Sequence, residues 1–553
     1  MCAALLLQLL LLADYSAVAL LRLPLRASPK HRRFAGSGVL PADQPQQGIV
    51  VSGVELGTIG GLRGIIATSA VGGIDLQASA PLVSVPARLV FEVTNARPPT
   101  PFPEFVPQAL WAESMWDHRL AFKLLYELKV VGLDKSEKAS WLQQLPSSYS
   151  TPLHWSPAVL REEAQYTALA DKVEKQRQEW AALHAKWMAV TSLSGRDVSL
   201  EEFVKALECV NSRAFSGTFE GSSASERRSL LAFTAVLTVA FPALDFGTWE
   251  QSLSAALVVG LSLLAKDVIF SKASGLKRYV VCPFVDMFNH KSTVSSDVSY
   301  NYFADAFELR TQGHAKGDQV FISYGKQGND RLLQYYGFID EDNPHDSYDF
   351  GSGVLELLLR FGDAMMQAAG LPVGPAEVQS RLKVIAAALS VTEVDDATIR
   401  GSRGATVRGD QVPVRFFRQA PSGGSISGRG GFDSVTTRAL RALYASRAEW
   451  AELVGVTGTI GSLERLGAPL SGETEALVAS ALRSLAQLEL ASKPTRLEED
   501  VALLQGLKGK VAAGTSGGGG CEACDPSGLY QDPVFSAVAF RIEKKKLLLE
   551  AAT

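Results

Sequence analysis

The sequence predicts an α+β protein: a β-rich body with a helical insertion, followed by a mostly α-helical C-terminal domain. Three observations carry this expectation. Residues 47–95 are punctuated by Gly57, Gly60, Gly61 and Gly64 and hold two runs of strand composition, Ile65-Ile66-Ala67-Thr68 and Leu82-Val83-Ser84-Val85. Residues 96–275 change to helical patterning. Strand-like apolar runs return between 276 and 350, as Tyr279-Val280-Val281 and Gln319-Val320-Phe321-Ile322, before Leu/Ala-rich texture takes over from 351 to 553. A chain of 553 residues is too long for one compact core, so two or three domains are expected. Hydrophobic residues make up 46%, charged residues 20% and the net charge is −4, the balance of an ordinary soluble protein; with no overall basic excess, nucleic acid is not expected as a partner.

Residues 1–46 stand apart. Met1 to Leu21 is apolar apart from Gln8, Asp14, Tyr15 and Ser16, and Arg22 to Arg33 is basic without a single acid. An apolar core followed by a basic, acid-poor tract reads as a targeting presequence and linker, of the bipartite kind that algal plastid proteins carry. A plastid destination follows, with the secretory pathway or a membrane anchor as the alternative; Asp14 interrupts the run below the ~20 apolar residues a span requires. After removal of this segment no stable membrane partner is expected, and the chain is expected to act as a monomer.

The glycine cluster of 57–64 invites a phosphate-loop reading. The spacing is not G-x-G-x-x-G, no Lys-Ser/Thr follows and strands rather than a helix come next, so a nucleotide-binding fold is disfavoured. Beyond it, the Pro-rich Arg97 to Pro107 reads as a linker, Tyr166 to Trp187 as a charged helix with Trp180 and Trp187 a heptad apart, and Ala255 to Ala265 as a buried helix too short to span a membrane.

The stretch from Arg278 to Phe338 holds the chemistry. Pro283 breaks the first strand, and Asp286, Asn289 and His290 then sit among Phe284, Val285, Met287 and Phe288. A buried amide or imidazole left unsatisfied costs ~1–3 kcal/mol, so something specific must sit against Asn289 and His290; a ligand is the reading adopted. The bland account is an Asn-His strand end and a Tyr-Gly turn.

In the C-terminal domain, Leu477, Ala481, Leu485 and Leu488 keep one helix face, and Thr495 with Glu498 makes a capping box after Pro494. Gly401 to Gly431 and Gly514 to Gly520 read as mobile loops. Gly514-Thr515-Ser516-Gly517-Gly518 spells a hydrolase elbow by chance, with no strand before it. Cys521 and Cys524 form an isolated C-x-x-C; Cys2, Cys209 and Cys282 give it no second metal-ligand pair, so no metal is expected and a redox-sensitive pair stays open.

Several blocks together resemble one family. PFVDMFNHKS (283–292), GDQVFISYGKQGNDRLLQYYGF (317–338), NSRAF (211–215), LPSSYSTPLHW (145–155), and RGIIATSAV with VSVPARLV (63–90) occur in the order found in the SET-domain protein methyltransferases of the Rubisco large-subunit lysine methyltransferase subfamily. The resemblance spans roughly residues 47–350. It implies a SET domain in two halves, 47–95 and 276–350, around a helical insertion at 96–275, with a helical substrate-binding domain at 351–553. It implies S-adenosylmethionine as cofactor, held by Gly61, Arg63, Gly64, Arg213, Asp286, Asn289 and His290, with Arg213 on the cofactor carboxylate. It further implies Tyr324 as the catalytic tyrosine, Tyr336 in the lysine channel, Asn329 bracing the turn between them, and a protein substrate presenting a lysine, the Rubisco large subunit or another plastid protein. Methyl transfer needs an amine held in line with the sulfonium methyl rather than a metal or a strong acid, and no carboxylate adjoins Tyr324 in sequence. Two alternatives stay open within the same fold: a protein-histidine methyltransferase, and a catalytically inactive binding module.

Overall fold

The computed structural model describes residues 48–59, 62–73, 76, 79–96, 99–191, 198–217, 234–236, 238–240, 242–244, 247–265, 277–301, 304–357, 375–391, 393–395, 406–408, 412–419, 430–461, 463–514 and 530–553. The presequence, Gly61, Cys521 and Cys524 lie outside the described residues. Two compact units emerge, one from residues 1–148 with 181–323 and the other from 149–180 with 324–553. These units do not coincide with the segment boundaries read from the sequence.

The first unit is built from small sheets. Strands β1 (Val50–Val51), β4 (Val83–Pro86), β9 (Ser296–Asn301) and β10 (Ala306–Thr311) form an antiparallel sheet in the order β1-β4-β10-β9. β2 (Val54–Ile59) and β3 (Leu62–Ala67) form a hairpin, and β5 (Phe91–Thr94), β7 (Arg278–Val281) and β6 (Ala214–Gly217) form a third sheet in the order β5-β7-β6. The short β8 (Asn289–His290) runs parallel to β11 (Phe321–Ile322), with Phe321 opposite Asn289 and Ile322 opposite His290. β4 shows why the strands face as they do: Val83 and Val85 are fully buried while Ser84 and Pro86 are half-buried, the period-2 pattern of a sheet with one face inward. The strand-like runs Ile65-Ile66-Ala67, Val83-Ser84-Val85 and Tyr279-Val280-Val281 all form strands.

Helix Trp116–Tyr126 packs against β5, and helix Leu200–Arg213 packs against that helix, the latter opened by a capping box in which Ser199 Oγ accepts from Glu202 N–H and Glu202 reaches back to Ser199 N–H. Two expectations fail here. The tract expected to be a linker is anchored: Phe102 and Phe105 are buried, Phe102 stacks on Tyr126 at 4.5 Å, and the Trp187 indole donates to the Phe105 carbonyl at 2.7 Å. Aromatics between prolines gave that stretch a hydrophobic load that outweighs its linker composition. The apolar run at 255–265 lies in the helix Trp249–Ala265, and Ala256 is buried, yet Leu257 and Val258 are exposed. Apolarity along a run cannot say which sides of a helix are covered.

The second unit has one large apolar core. Trp155, Leu160, Tyr166 and Leu169, from the segment expected to be part of the insertion, share that core with Leu333, Tyr348, Val414, Leu440 and Phe540. A three-stranded sheet, β12 (Ser347–Gly353), β15 (Pro413–Phe417) and β16 (Gly431–Phe432), runs through it, and β13 (Glu393–Asp395) pairs with β14 (Thr406–Arg408). β14 and β15 fall inside the Gly-rich stretch read as a mobile loop. There Val412, Val414 and Phe416 alternate into the core, a period-2 pattern hidden by the glycines around it. On the helix Gly472–Ala491, Ala481 and Leu485 are buried and Leu477 and Leu488 pack against the core, as their spacing predicts. The next helix, Leu497–Gly514, does not begin with the expected Thr495–Glu498 box: Glu499 returns to Arg496 N–H at 2.8 Å, and Thr495 instead receives Lys545 Nζ on its hydroxyl at 2.8 Å. Among the described residues, no helix is long and apolar enough to cross a membrane.

Candidate functional site

In the first unit, the segment after β7 turns sharply. Phe284 is a buried, bulky residue at φ +72°, a conformation costing ~1–3 kcal/mol that survives only where the surroundings over-determine it. It leads into the single 3-10 turn Val285–Met287, which carries Asp286, and then β8, which carries Asn289 and His290. β8 is short because its partner is only Phe321–Ile322, so both residues lie half-buried at the end of a two-residue ladder.

Asp286 is the centre of the site. Its side chain is 1% exposed, and its Oδ2 accepts from Arg213 Nη1 at 2.9 Å and from the Trp141 indole at 3.0 Å. Arg213 Nη1 also donates to the Asp286 carbonyl at 3.2 Å. The other oxygen, Oδ1, is buried with no hydrogen-bond partner among the described residues. A buried carboxylate oxygen in that condition calls for a donor from beyond the described residues, a role a bound ligand can fill.

Arg63 on β3 adds a second guanidinium. It donates to the Gln144 carbonyl at 3.2 Å; burial lowers its pKa from the ordinary value, the nearby Arg213 charge lowers it further, and Asp286 opposes both. Two guanidiniums and one carboxylate leave a surplus positive charge beside an acceptor awaiting a donor. An α-amino acid moiety, ammonium and carboxylate together, fits that set. Gly64 adds a spatial requirement: a Cβ there would stand 2.7 Å from Gln319 Nε2 and 3.1 Å from Asn289 Nδ2, so only the missing side chain leaves the space in front of Asn289 open. Asn289 Nδ2 donates to the Arg63 carbonyl at 3.2 Å, tying β8 to β3.

In the second unit, Tyr324 and Tyr336 stack at 5.0 Å between ring centroids with 29° between planes, and Phe338 stands edge-on to both at 6.4 and 6.1 Å. Tyr336 ends the helix Asn329–Tyr336, which is closed by Gly337 at φ +76°; a Cβ there would be 3.1 Å from Ser150 Oγ. Burial raises the Tyr336 phenol above its ordinary pKa against the pull of Arg331, so it remains a neutral hydroxyl at physiological pH. Asn329 is fully buried, and its bonds reach past Tyr336 instead of into the turn between the tyrosines: it donates to the Asp340 carbonyl at 3.0 Å and accepts from Asp340 N–H at 3.0 Å.

The sequence-derived residues thus fall into two sets. Arg63, Gly64, Arg213, Asp286 and Asn289 come together in the first unit, with His290 beside Asn289 on β8, while Tyr324 and Tyr336 come together in the second. Gly61 lies outside the described residues. Three contributors escaped sequence reasoning: Trp141, Gln319 and Phe338. Trp141 reaches Asp286 across 145 positions of chain, and nothing local signals it. Phe338 was visible as the third aromatic of Tyr335-Tyr336-Gly337-Phe338 and could have been grouped with the tyrosines. Among the described residues no group of three or more His, Cys, Asp and Glu could hold a metal ion.

The crystal structure of the SET domain of LSMT bound to lysine and AdoHcy superimposes with a TM-score of 0.51 at 15% identity, covering 92% of this chain and 88% of that one. The chain has the SET fold. Rubisco LSMT bound to sinefungin and monomethyllysine matches this SET-fold protein at a TM-score of 0.51 and 17% identity, over the same shares of the two chains. Sequence relatives are local: SET domain-containing protein 4 of Mus musculus is 33% identical over 87 residues, 16% of this chain and 20% of that protein. The ribosomal lysine N-methyltransferase set10 of Schizosaccharomyces pombe is 29% identical over 104 residues, 18% of each. The chain spans about a fifth of the length of the curated relatives it matches. No family model matches it.

Proposed function

We propose that this SET-fold chain is an S-adenosylmethionine-dependent protein-lysine methyltransferase. The observation that carries the proposal is the Asp286 set, an open buried acceptor flanked by Arg213 and Arg63, which suits the amino-acid end of S-adenosylmethionine on a fold whose solved neighbours were bound to AdoHcy, AdoMet or sinefungin. When bound, that cofactor would supply an electrophilic sulfonium methyl. Asp286 Oδ1 would accept from the α-ammonium, the two guanidiniums would balance the carboxylate, and Asn289 and His290 would hold the remainder of the molecule from β8.

The tyrosine pair serves the other substrate. A lysine of ordinary pKa ~10.4 is almost wholly protonated at neutral pH and has no lone pair to offer. Among Tyr324, Tyr336 and Phe338 the charged form is desolvated, which lowers the pKa and frees the amine without a dedicated base. The Tyr324 hydroxyl orients the amine, and Tyr336 bounds the space for methyls already added. The apolar run and the basic, acid-poor tract of residues 1–33 support a plastid location, and with it the Rubisco large subunit or another plastid protein as substrate.

The test is incubation of the full chain with labelled S-adenosylmethionine and fractionated lysate of the source. Label on the lysine of a discrete protein is the expected result. Label on histidine, or none beside calorimetrically intact cofactor binding, overturns the lysine-methyltransferase reading.

A further inference from the structure

The helix Pro533–Ala552 closes the chain and buries charges on consecutive turns: Arg541, Glu543, Lys544 and Lys545 are all 4% exposed or less. Charged side chains are almost never fully buried unless paired, so each position has a specific partner. Arg541 and Lys545 converge on Asp500, which joins this helix to its neighbour Leu497–Gly514. Lys544 points elsewhere. Its ammonium is ion-paired with Asp330 and donates to Asp346 Oδ1 at 2.9 Å and to the Ser347 carbonyl at 2.7 Å.

Those acceptors belong to the machinery that carries the tyrosines. Asp330 lies in the first turn of the helix that ends in Tyr336. Asp346, fully buried, accepts from Asn329 N–H at 2.9 Å and from Asn329 Nδ2 at 3.1 Å, at that helix's first residue. Asn343, from the same loop, donates to the Gln327 carbonyl at 2.8 Å, and Gln327 donates to the Tyr324 carbonyl at 3.4 Å. Asn343 Nδ2 also donates to Asn329 Oδ1 at 3.4 Å, so one ammonium is linked to both tyrosines, to Tyr336 through its helix and to Tyr324 through Asn329, Asn343 and Gln327. Lys172 provides a contrast: it pairs with Asp330 at 3.3 Å and Asp349 at 3.1 Å, is 37% exposed, and has no bond to Asp346.

We propose that Lys544 is a positioning residue for methyl transfer, fixing the Tyr324–Tyr336 pair from the last helix of the chain through Asp330 and Asp346. The proposal rests on the methyltransferase reading for the role of the tyrosines, while the geometry it invokes is independent of substrate. A displacement of ~1 Å in such a pair is enough to cost ~100-fold in rate, so loss of the ammonium should reach catalysis without touching the first unit.

The experiment compares Lys544→Met, Lys544→Arg and Lys172→Met in the full chain, with Tyr324→Phe run alongside. NMR of ring-labelled tyrosine reads the environment of Tyr324 and Tyr336, calorimetry reads S-adenosylmethionine affinity, and labelled cofactor with the protein identified from lysate reads kcat, KM and the number of methyls added. Lys544→Met is expected to shift both tyrosine signals, lower kcat at least ~10-fold, change the methyl distribution and leave cofactor affinity within about twofold. Lys544→Arg should recover most of kcat, and Lys172→Met should leave the signals and kcat near wild type. Equal losses in Lys544→Met and Lys172→Met, or unmoved tyrosine signals in a folded Lys544→Met protein, overturn the proposal. Should Lys544→Met not fold, Asn343→Ala, which cuts the Gln327 link and spares the ion cluster, takes its place, and an unmoved Tyr324 signal there overturns it equally. Wild-type turnover in Tyr324→Phe would sink the methyltransferase reading alone, because the tyrosine signals answer for Lys544 without it.

Discussion

Asp286→Asn is the sharpest perturbation of the candidate cofactor site, because the surroundings dictate how the new side chain must sit. Two donors, Arg213 Nη1 at 2.9 Å and the Trp141 indole at 3.0 Å, converge on Oδ2. The amide oxygen must take that side, since an NH2 there would face two N–H groups. The amide nitrogen is then forced into the position of Oδ1, the buried oxygen with no partner among the described residues. An acceptor becomes a donor at the point proposed to receive the α-ammonium. A hydrogen bond to a charged group is worth ~1.5–3 kcal/mol, so S-adenosylmethionine should bind ~10- to 150-fold more weakly. Arg213, 12% exposed, keeps a hydrogen bond and loses its counter-charge, so a stability loss of about 1–3 kcal/mol is expected, with the fold intact. Calorimetric titration with S-adenosylmethionine and with an analogue lacking the α-amino group checks both halves. The analogue should bind variant and wild type alike. Affinity for S-adenosylmethionine within twofold of wild type, in a protein that melts cooperatively, would refute the assignment of Oδ1.

Tyr324→Phe removes only the hydroxyl and should lower kcat by ~100-fold or more with cofactor affinity nearly unchanged, whereas Tyr336→Phe should cost less and add more methyls; single-turnover kinetics with mass spectrometry of the product separates them. Gly64→Ala places a Cβ against the Gln319 and Asn289 amides, so calorimetry should show cofactor affinity falling ~10-fold, with stability changed by about 1 kcal/mol or less because both neighbours are flexible side chains. Acid should loosen the second unit through Asp330: burial would raise its pKa, but Lys544 and Lys172 beside it bring it down to about 2. Because the folded pKa is depressed, its contribution of about 2 kcal/mol is complete above the ordinary carboxylate value near 4 and is lost as pH falls through about 2. Lys544→Met should therefore flatten the acid limb of the stability curve between pH 4 and 2; an unchanged limb would refute the pairing.

The sequence by itself determined the β-rich body, the helical texture around it, and the order of the chemistry-bearing blocks. These are local matters: Ile65-Ile66-Ala67 and Val83-Ser84-Val85 alternate as strands must, Leu477 to Leu488 keep one helix face, and Asp286, Asn289 and His290 stand out because polar groups among Phe284, Val285, Met287 and Phe288 need a partner. Tertiary structure alone decided which distant groups meet. Trp141 reaches Asp286, and Lys544 reaches Asp330 and Asp346, across separations over which periodicity and propensity carry no information. It decided the division of the chain as well. Residues 149–180 and 324–350 share a core with the C-terminal helices, so a truncation at 350 would strip the counter-ion from the fully buried Asp346 instead of releasing an intact domain. The physical reason is one and the same: a pattern of apolar spacing fixes which face of an element must be covered, while the partner that covers it, and the charge that a buried carboxylate finds there, depend on closing loops of a hundred residues or more.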